Sequence, residues 1–324
     1  MIKPSLVFDE GGQRLAMAQL TQASALTERL SPTRRAKASR FVVAMLAPSV
    51  VIVIFVVAFP LIYSLYLSFT SFTLLRPVAA WNDFANYRRL LQDPIFGQAF
   101  INTLLFMFVT INAAFLMGLF LSQAIARTIR GQSVLRTMLM VPMMFAPVMI
   151  GFQFRWFFND QVGLVNNVLT SLGVLNGSIP WLVDRWLAMF SIGVATVWMN
   201  TPVVAIILLA GTLSISPELY EAADVDGAND WQKFRLITYP LLGPFITIGL
   251  TILSLDVARG FDIVSIMTGG GPAHRTELLW TYVPRVAIQD SRFALGAAMS
   301  FVTVIVTISF TVYLFRQLLK SRIL

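Results

Sequence analysis

The sequence predicts an all-α membrane protein of about six transmembrane helices with a short bihelical cytoplasmic loop. Three observations carry that prediction. The 324 residues are 57% hydrophobic and only 12% charged, with a mean hydropathy of +0.74, whereas soluble domains are about 25% charged. Six apolar runs lie near residues 41–70, 101–126, 134–158, 187–211, 241–267 and 294–315. At about 1.5 Å per helical residue, even the shortest reaches roughly 33 Å, enough for the ~30 Å hydrocarbon layer. The runs are continuous rather than alternating, which favours helices over barrel strands, and a helix satisfies its own backbone hydrogen bonds in lipid.

Residues 1–40 are polar, with a turn at Gly11 and Gly12 and basic residues Arg29, Arg34, Arg35, Lys37 and Arg40. They read as a cytoplasmic tail preceding a transmembrane domain over 41–324. The first apolar run starts too late and runs too long for the 7–15-residue core of a cleaved signal peptide. Arg127 and Arg130, Lys233 and Arg235, and Arg316, Lys320 and Arg322 fall on the same side as the tail. The positive-inside rule makes that side cytoplasmic, with both termini on it. Pro48 and Pro60, Pro142 and Pro147, Pro202 and Pro244 lie inside apolar runs and predict kinks.

Several functions are excluded early. Cysteine is absent and His274 is the single histidine, which removes thiolate and histidine metal sites and a Ser/His/Asp triad. No catalytic residues and no metal ligands are expected. The net charge of +8 sits mostly beside apolar runs, as topology signals and lipid-headgroup contacts do; no basic stripe interleaves with aromatics, so nucleic acid is not an expected partner. His274, in "TGGGPAHR", is expected to be exposed.

The loop over about 212–240 holds the densest acidic cluster, Glu218, Glu221, Asp224, Asp226 and Asp230. Ser216, Pro217 and Glu218 read as a helix start and Gly227 as a left-handed stop. Asn229 or Asp230 can cap a second short helix, with Gln232 placed three residues after Asn229 to reach back in a capping box, and Pro240 is expected to end that helix. The product is a bihelical knob with spare apolar surface from Leu219, Tyr220, Trp231 and Phe234. An amphipathic loop on headgroups is the plainer alternative. The carboxylates count against it, since anionic lipid repels them and a basic protein partner does not.

Glu221-Ala222-Ala223, then Gly227, Ile237 and Tyr239-Pro240 resemble the EAA signature of bacterial ABC importer permeases, with Tyr239 where leucine is common. "FDIVSIMTGGGP" with Thr276, "YSLYLSF", "NYRRLL" and "GLVN" are similar to the carbohydrate-importer permeases of the maltose and glycerol-phosphate type. The resemblance spans nearly everything after residue 45. It implies a multi-pass subunit of the bacterial inner membrane that pairs with a second, homologous permease. It further implies a dimer of ATPase subunits, which bind ATP and Mg, and a periplasmic solute-binding protein. Glu221, Ala222, Ala223, Asp226, Gly227 and Ala228 would then couple to the ATPase. The chain has no Gly-x-x-x-x-Gly-Lys-Ser/Thr loop, so no cofactor of its own is expected and it is not read as an enzyme.

Asp256, Arg259 and Asp262 lie within the fifth run, where each ionised group costs about 2.5–3.5 kcal/mol at mid-bilayer. Their spacing places them on one side of a helix, with Arg259 in reach of either carboxylate. Two readings stay open. They form a self-neutralising or interfacial cluster, or they line a translocation path, with Asn200, Gln153 and Ser254 as further candidates. Arg259 motivates the expectation of an anionic group on the substrate. The function expected is a sugar-importer permease working by alternating access; the alternative is a proton-coupled secondary transporter using Asp256 and Asp262.

Overall fold

The computed structural model describes residues 32–127 and 131–320, without side chains for 32–42 and a few residues near the carboxyl end. The described residues divide into two compact units, parted between Tyr63 and Ser64. The cytoplasmic tail expected over residues 1–40 lies mostly outside the described residues.

The first unit is helical. Helix α1 (Pro32–Val53) passes through a π-helical turn, Ile54–Ala58, into α2 (Phe59–Ser68). Pro60 can donate no backbone hydrogen bond, and the widened turn before it moves the carbonyls clear of its ring. Apart from Ala58, the apolar side chains from Val43 to Tyr63 are exposed, as on a lipid-facing helix, while Leu67 at the end of α2 is buried.

In the second unit, Ser68–Tyr87 and Thr70–Asn86 contacts seat α3 (Ala85–Gln92) on the end of α2. Helix α4 (Pro94–Ala126) begins seven residues before the apolar run because Asp93 caps it, accepting from the N–H of Ile95 at 2.9 Å; such a cap contributes ~1 kcal/mol. Helix α8 (Arg185–Leu213) starts the same way, Asp184 accepting from Trp186 and Leu187. The two run antiparallel. Asn102 meets Arg185 at one end, and Gln123 donates to Thr212 at 2.8 Å near the other. Gly118 lets them touch, since a Cβ there would lie 2.9 Å from Val204. Small residues at helix crossings serve packing in lipid, where no hydrophobic force drives helices together.

The third run is not one straight helix. Helix α5 (Gln132–Met140), a 3₁₀ turn (Val141–Met144) and α6 (Pro147–Phe157) bend by 95°, because Pro142 and Pro147 bracket the extended Phe145–Ala146. Helix α7 (Leu164–Ser171) follows before α8. Past the loop come α9 (Pro217–Val225), α10 (Asp230–Lys233), a second π-helical turn (Phe234–Thr238) and α11 (Tyr239–Leu241). Pro240 therefore does not end the helix: the π turn before it absorbs the missing donor, as at Pro60.

The fifth run is broken twice. The chain bends by 67° where α11 meets α12 (Gly243–Ala258), and it breaks again at Arg259 and Gly260 before α13 (Phe261–Met267). Helix α14 (Leu279–Pro284), a third π turn (Arg285–Gln289) and α15 (Phe293–Lys320) follow. Among the described residues four helices are thus long and apolar enough to cross a membrane, or six spans if each bent pair counts as one. The main core, including Met107, Ile111, Ile192, Leu208 and Leu253, joins α4, α8 and α12. Buried hydroxyls within it satisfy themselves locally, as Thr110 does on the Phe106 carbonyl and Thr196 on that of Ile192. No water is at hand there to do so.

Candidate functional site

The knob forms from local signals. Pro217 occupies the first turn of α9 with Glu218 beside it, but the Ser216 hydroxyl makes no capping bond, so proline and carboxylate start this helix without it. Gly227 closes it at φ +77°, its N–H reaching the Asp224 carbonyl at 3.1 Å while Ala228 N–H reaches that of Ala223 at 2.9 Å. Asn229 and Gln232 make the reciprocal capping box, at 2.8 and 2.9 Å. Glu221, Ala222, Asp226 and Gly227 are exposed, and Ala223 and Ala228 half-buried. Around them Val225 is 88% and Trp231 66% exposed. A mixed acidic and apolar face of this kind suits a protein partner.

Ion pairs tie the knob to the membrane helices. Arg127, just past α4, meets Asp230 at 3.2 Å. Lys233 bridges Asp230 at 3.2 Å and Asp224 at 2.7 Å. Lys233, by hydrogen bond and charge, and then Arg127 hold the Asp230 carboxyl below its usual value; Asp224 and Asp230 hold the Lys233 ammonium above its own. Tyr220 adds a hydroxyl contact to Thr238 at 2.9 Å. The knob is therefore held against α4 and against the start of the fifth span.

A second site lies where the broken helices converge. Asp256, Arg259, Gly260 and Asp262 line a cavity of about 370 Å³ with Thr196, Asn200, Met143 and Pro147. The 95° bend, the stretch of α8 that contains Pro202, and the break at Arg259–Gly260 all border it. Discontinuous helices are tolerated at membrane depth where they line such a space. Among the described residues no ion pair within 4.0 Å joins Arg259 to Asp256 or Asp262. Arg259 ends the helix at φ −99°, ψ 6°, its N–H on the Asp256 carbonyl at 3.1 Å, and the break at Gly260 then takes Asp262 out of the helical register. Asn200 is largely buried and donates to the Thr196 carbonyl. Gln153 and Ser254 are not brought to this cavity: Gln153 is exposed on α6, and Ser254 is buried on the Thr251 carbonyl. Among the described residues no three potential metal ligands converge.

The end of the bundle opposite the knob holds a cluster that sequence reasoning missed. Glu277 is wholly buried, its Oε2 3.0 Å from His274 Nδ1 and 3.4 Å from Arg285 Nη2. Its carbonyl and that of Arg275 each accept from Asn102 at 3.0 Å, and Arg185 holds the Asn102 oxygen at 2.8 Å. His274 is thus a partner in a network, not a free surface residue. Arg155 sits nearby and donates to the Ile266 carbonyl near the end of α13 at 3.0 Å.

Broken helices around a polar cavity, with an anchored knob at one end, define a membrane-embedded transport subunit. Residues 114–324 match the family described as the binding-protein-dependent transport system inner membrane component, and the chain belongs to it. The resemblance drawn from Glu221 to Pro240 holds, and permeases of this family are transporter subunits rather than enzymes. The chain is 34% identical over 261 residues to the sulfoquinovosyl glycerol transport system permease protein SmoG of Agrobacterium fabrum, covering 80% of this chain and 84% of that one. It is 30% identical over 271 residues to the trehalose/maltose transport system permease protein MalF of Thermococcus litoralis, covering 83% and 90%. The fold is that of a crystal structure of a bacterial ABC transporter importing the acidic polysaccharide alginate, with TM-score 0.77, 23% identity and coverage of 89% and 98%.

Proposed function

We propose that this chain is one of two permease subunits of an ATP-driven importer that moves a sugar or sugar derivative into the cytoplasm by alternating access. The observation that carries the reading is the exposed Glu221–Ala228 knob, closed by Gly227 and ionically tied to α4 and the fifth span. Seated on an ATPase subunit, it would pass the closure of that partner's ATP sites to the helices around the cavity. ATP and Mg belong to the ATPase dimer, and a solute-binding protein would deliver substrate at the opposite end. On this orientation the knob and both termini are cytoplasmic.

The relatives' substrates, sulfoquinovosyl glycerol and trehalose/maltose, support the sugar class. Within the cavity, Asp256, Asp262 and Asn200 offer acceptors to sugar hydroxyls, and the Arg259 guanidinium, with no carboxylate within 4.0 Å among the described residues, offers donors to an anionic substituent. Membership of this family weighs against proton coupling through Asp256 and Asp262.

Purification from solubilised membranes tests the core of the reading: ATPase subunits should accompany the chain. Uptake should survive an uncoupler and disappear in Gly227→Pro. A chain that purifies alone, with Gly227→Pro still transporting, defeats it. For the substrate, Arg259→Ala should lower uptake at least about tenfold, the loss of one charged hydrogen bond or more; unchanged uptake removes Arg259 from the path.

A further inference from the structure

We propose that Glu277 is the positioning residue of the loop over 268–277, holding it as a preformed docking surface for the solute-binding protein. The inference rests on the reading that such a protein delivers substrate at this end.

A carboxylate with no exposed surface is costly unless charges and hydrogen bonds compensate it. Glu277 recruits both from different elements. His274 and Arg285 meet its Oε2, and Arg285 also donates to the Gly269 carbonyl and approaches His274 at 3.3 Å. The carboxylate fills the space beside Gly270, where a Cβ would collide with it. Asn102 of α4 holds the Glu277 carbonyl, and Thr103 accepts the N–H of Leu279 at 2.9 Å. One side chain thus joins the start of the loop, its tip and the helix that follows.

The tip shows what this arrangement maintains. Ala273 and His274 adopt φ of +49° and +61°, a left-handed backbone that costs a side-chain-bearing residue roughly 1–2 kcal/mol. Three glycines stand at 269–271 and none at these two positions. Side-chain contacts, not glycine freedom, therefore hold the tip, and strain that persists under such constraint marks a shape in use. Pro272, Ala273 and Arg275 project from it as exposed groups, with His274 about one-third exposed. The tip carries no large apolar side chain for lipid. Its exposed charge is Arg275, flanked by His274 and Arg285, which suits an acidic edge on a protein. A loop already in its bound shape saves the ordering cost of docking.

The experiment uses the complete transporter in proteoliposomes with its solute-binding protein, measuring ATP hydrolysis against binding-protein concentration. Glu277→Gln should raise the half-saturating concentration about tenfold while leaving the maximal rate and the unstimulated rate unchanged. Arg275→Glu, on the exposed tip, should weaken docking similarly without touching the buried cluster. Should Glu277→Gln fail to assemble, Arg285→Lys takes its place with the same expectation, because an ammonium cannot serve Glu277 and Gly269 with separate nitrogens. Unchanged half-saturation in these variants, or a reduced maximal rate at unchanged half-saturation, overturns the inference. A wild-type transporter that the binding protein does not stimulate removes the underlying reading, and the inference with it.

Discussion

At the knob, Asp224, Lys233, Asp230 and Arg127 form a chain of ion pairs in which Arg127 and Asp230 are 63% and 68% exposed. At the opposite end Glu277 is 0% exposed and its two partners, Arg285 and His274, are only about one-third so. Exposed pairs are weak and screened by salt; a buried carboxylate stripped of a partner is expensive. The difference fits the role proposed for each end. A surface that receives motion from a partner can be held by contacts that re-form easily, whereas one that meets a separate protein gains from being fixed beforehand.

Removing a partner at each end sharpens the contrast. Arg285→Ala leaves Glu277 buried with half its compensation, and about 3 kcal/mol of stability should be lost, discounted from the full range because Arg285 is partly exposed. Thermal unfolding of the purified complex would show it, and an unchanged midpoint would place the cost of that carboxylate elsewhere. Gly227→Val comes next. The left-handed backbone at φ +77° disfavours a β-branched residue by roughly 1–2 kcal/mol, and uptake should fall several-fold in a complex that still assembles. Normal transport would show that the knob's turn need not be held. Asp230→Asn should leave unfolding unchanged and lower only the substrate moved per ATP, more at low salt than at high; a clear drop in thermal stability would mean that the ion chain is structural.

The knob was legible in the sequence because its determinants are local. Pro217, Gly227 and the Asn229–Gln232 pair act within a few residues of one another, so spacing alone found them. Even there, Ser216 failed as a cap and Pro240 as a stop, since the proline and acid at the helix start sufficed without the hydroxyl and a π turn made room for the ring. Apolar length and continuity revealed the spans, but the breaks depend on how packed segments meet. Asp256, Arg259 and Asp262 read as one helical face until Arg259 and Gly260 interrupted the helix. The Glu277 cluster gave almost no local signal, as one of its anchors, Asn102, lies 175 residues away. The one available hint was a lone carboxylate close behind three glycines.

The smallest expected effect concerns pH, and its sign follows from the two shifts at the knob. The Asp230 carboxyl lies below its usual 3.8, so its contribution is present above that value and is lost only as pH falls through the lower folded one. The Lys233 ammonium lies above its usual 10.5, so its contribution is present below that value and is lost as pH rises through the higher folded one. Across the window between them, both pairs keep their charge. The ratio of wild-type to Asp230→Asn coupling should therefore be constant from about pH 5 to pH 9. A ratio that drifts within that window would mean that some other titrating group, not the Arg127–Asp230–Lys233–Asp224 chain, carries motion between the knob and α4.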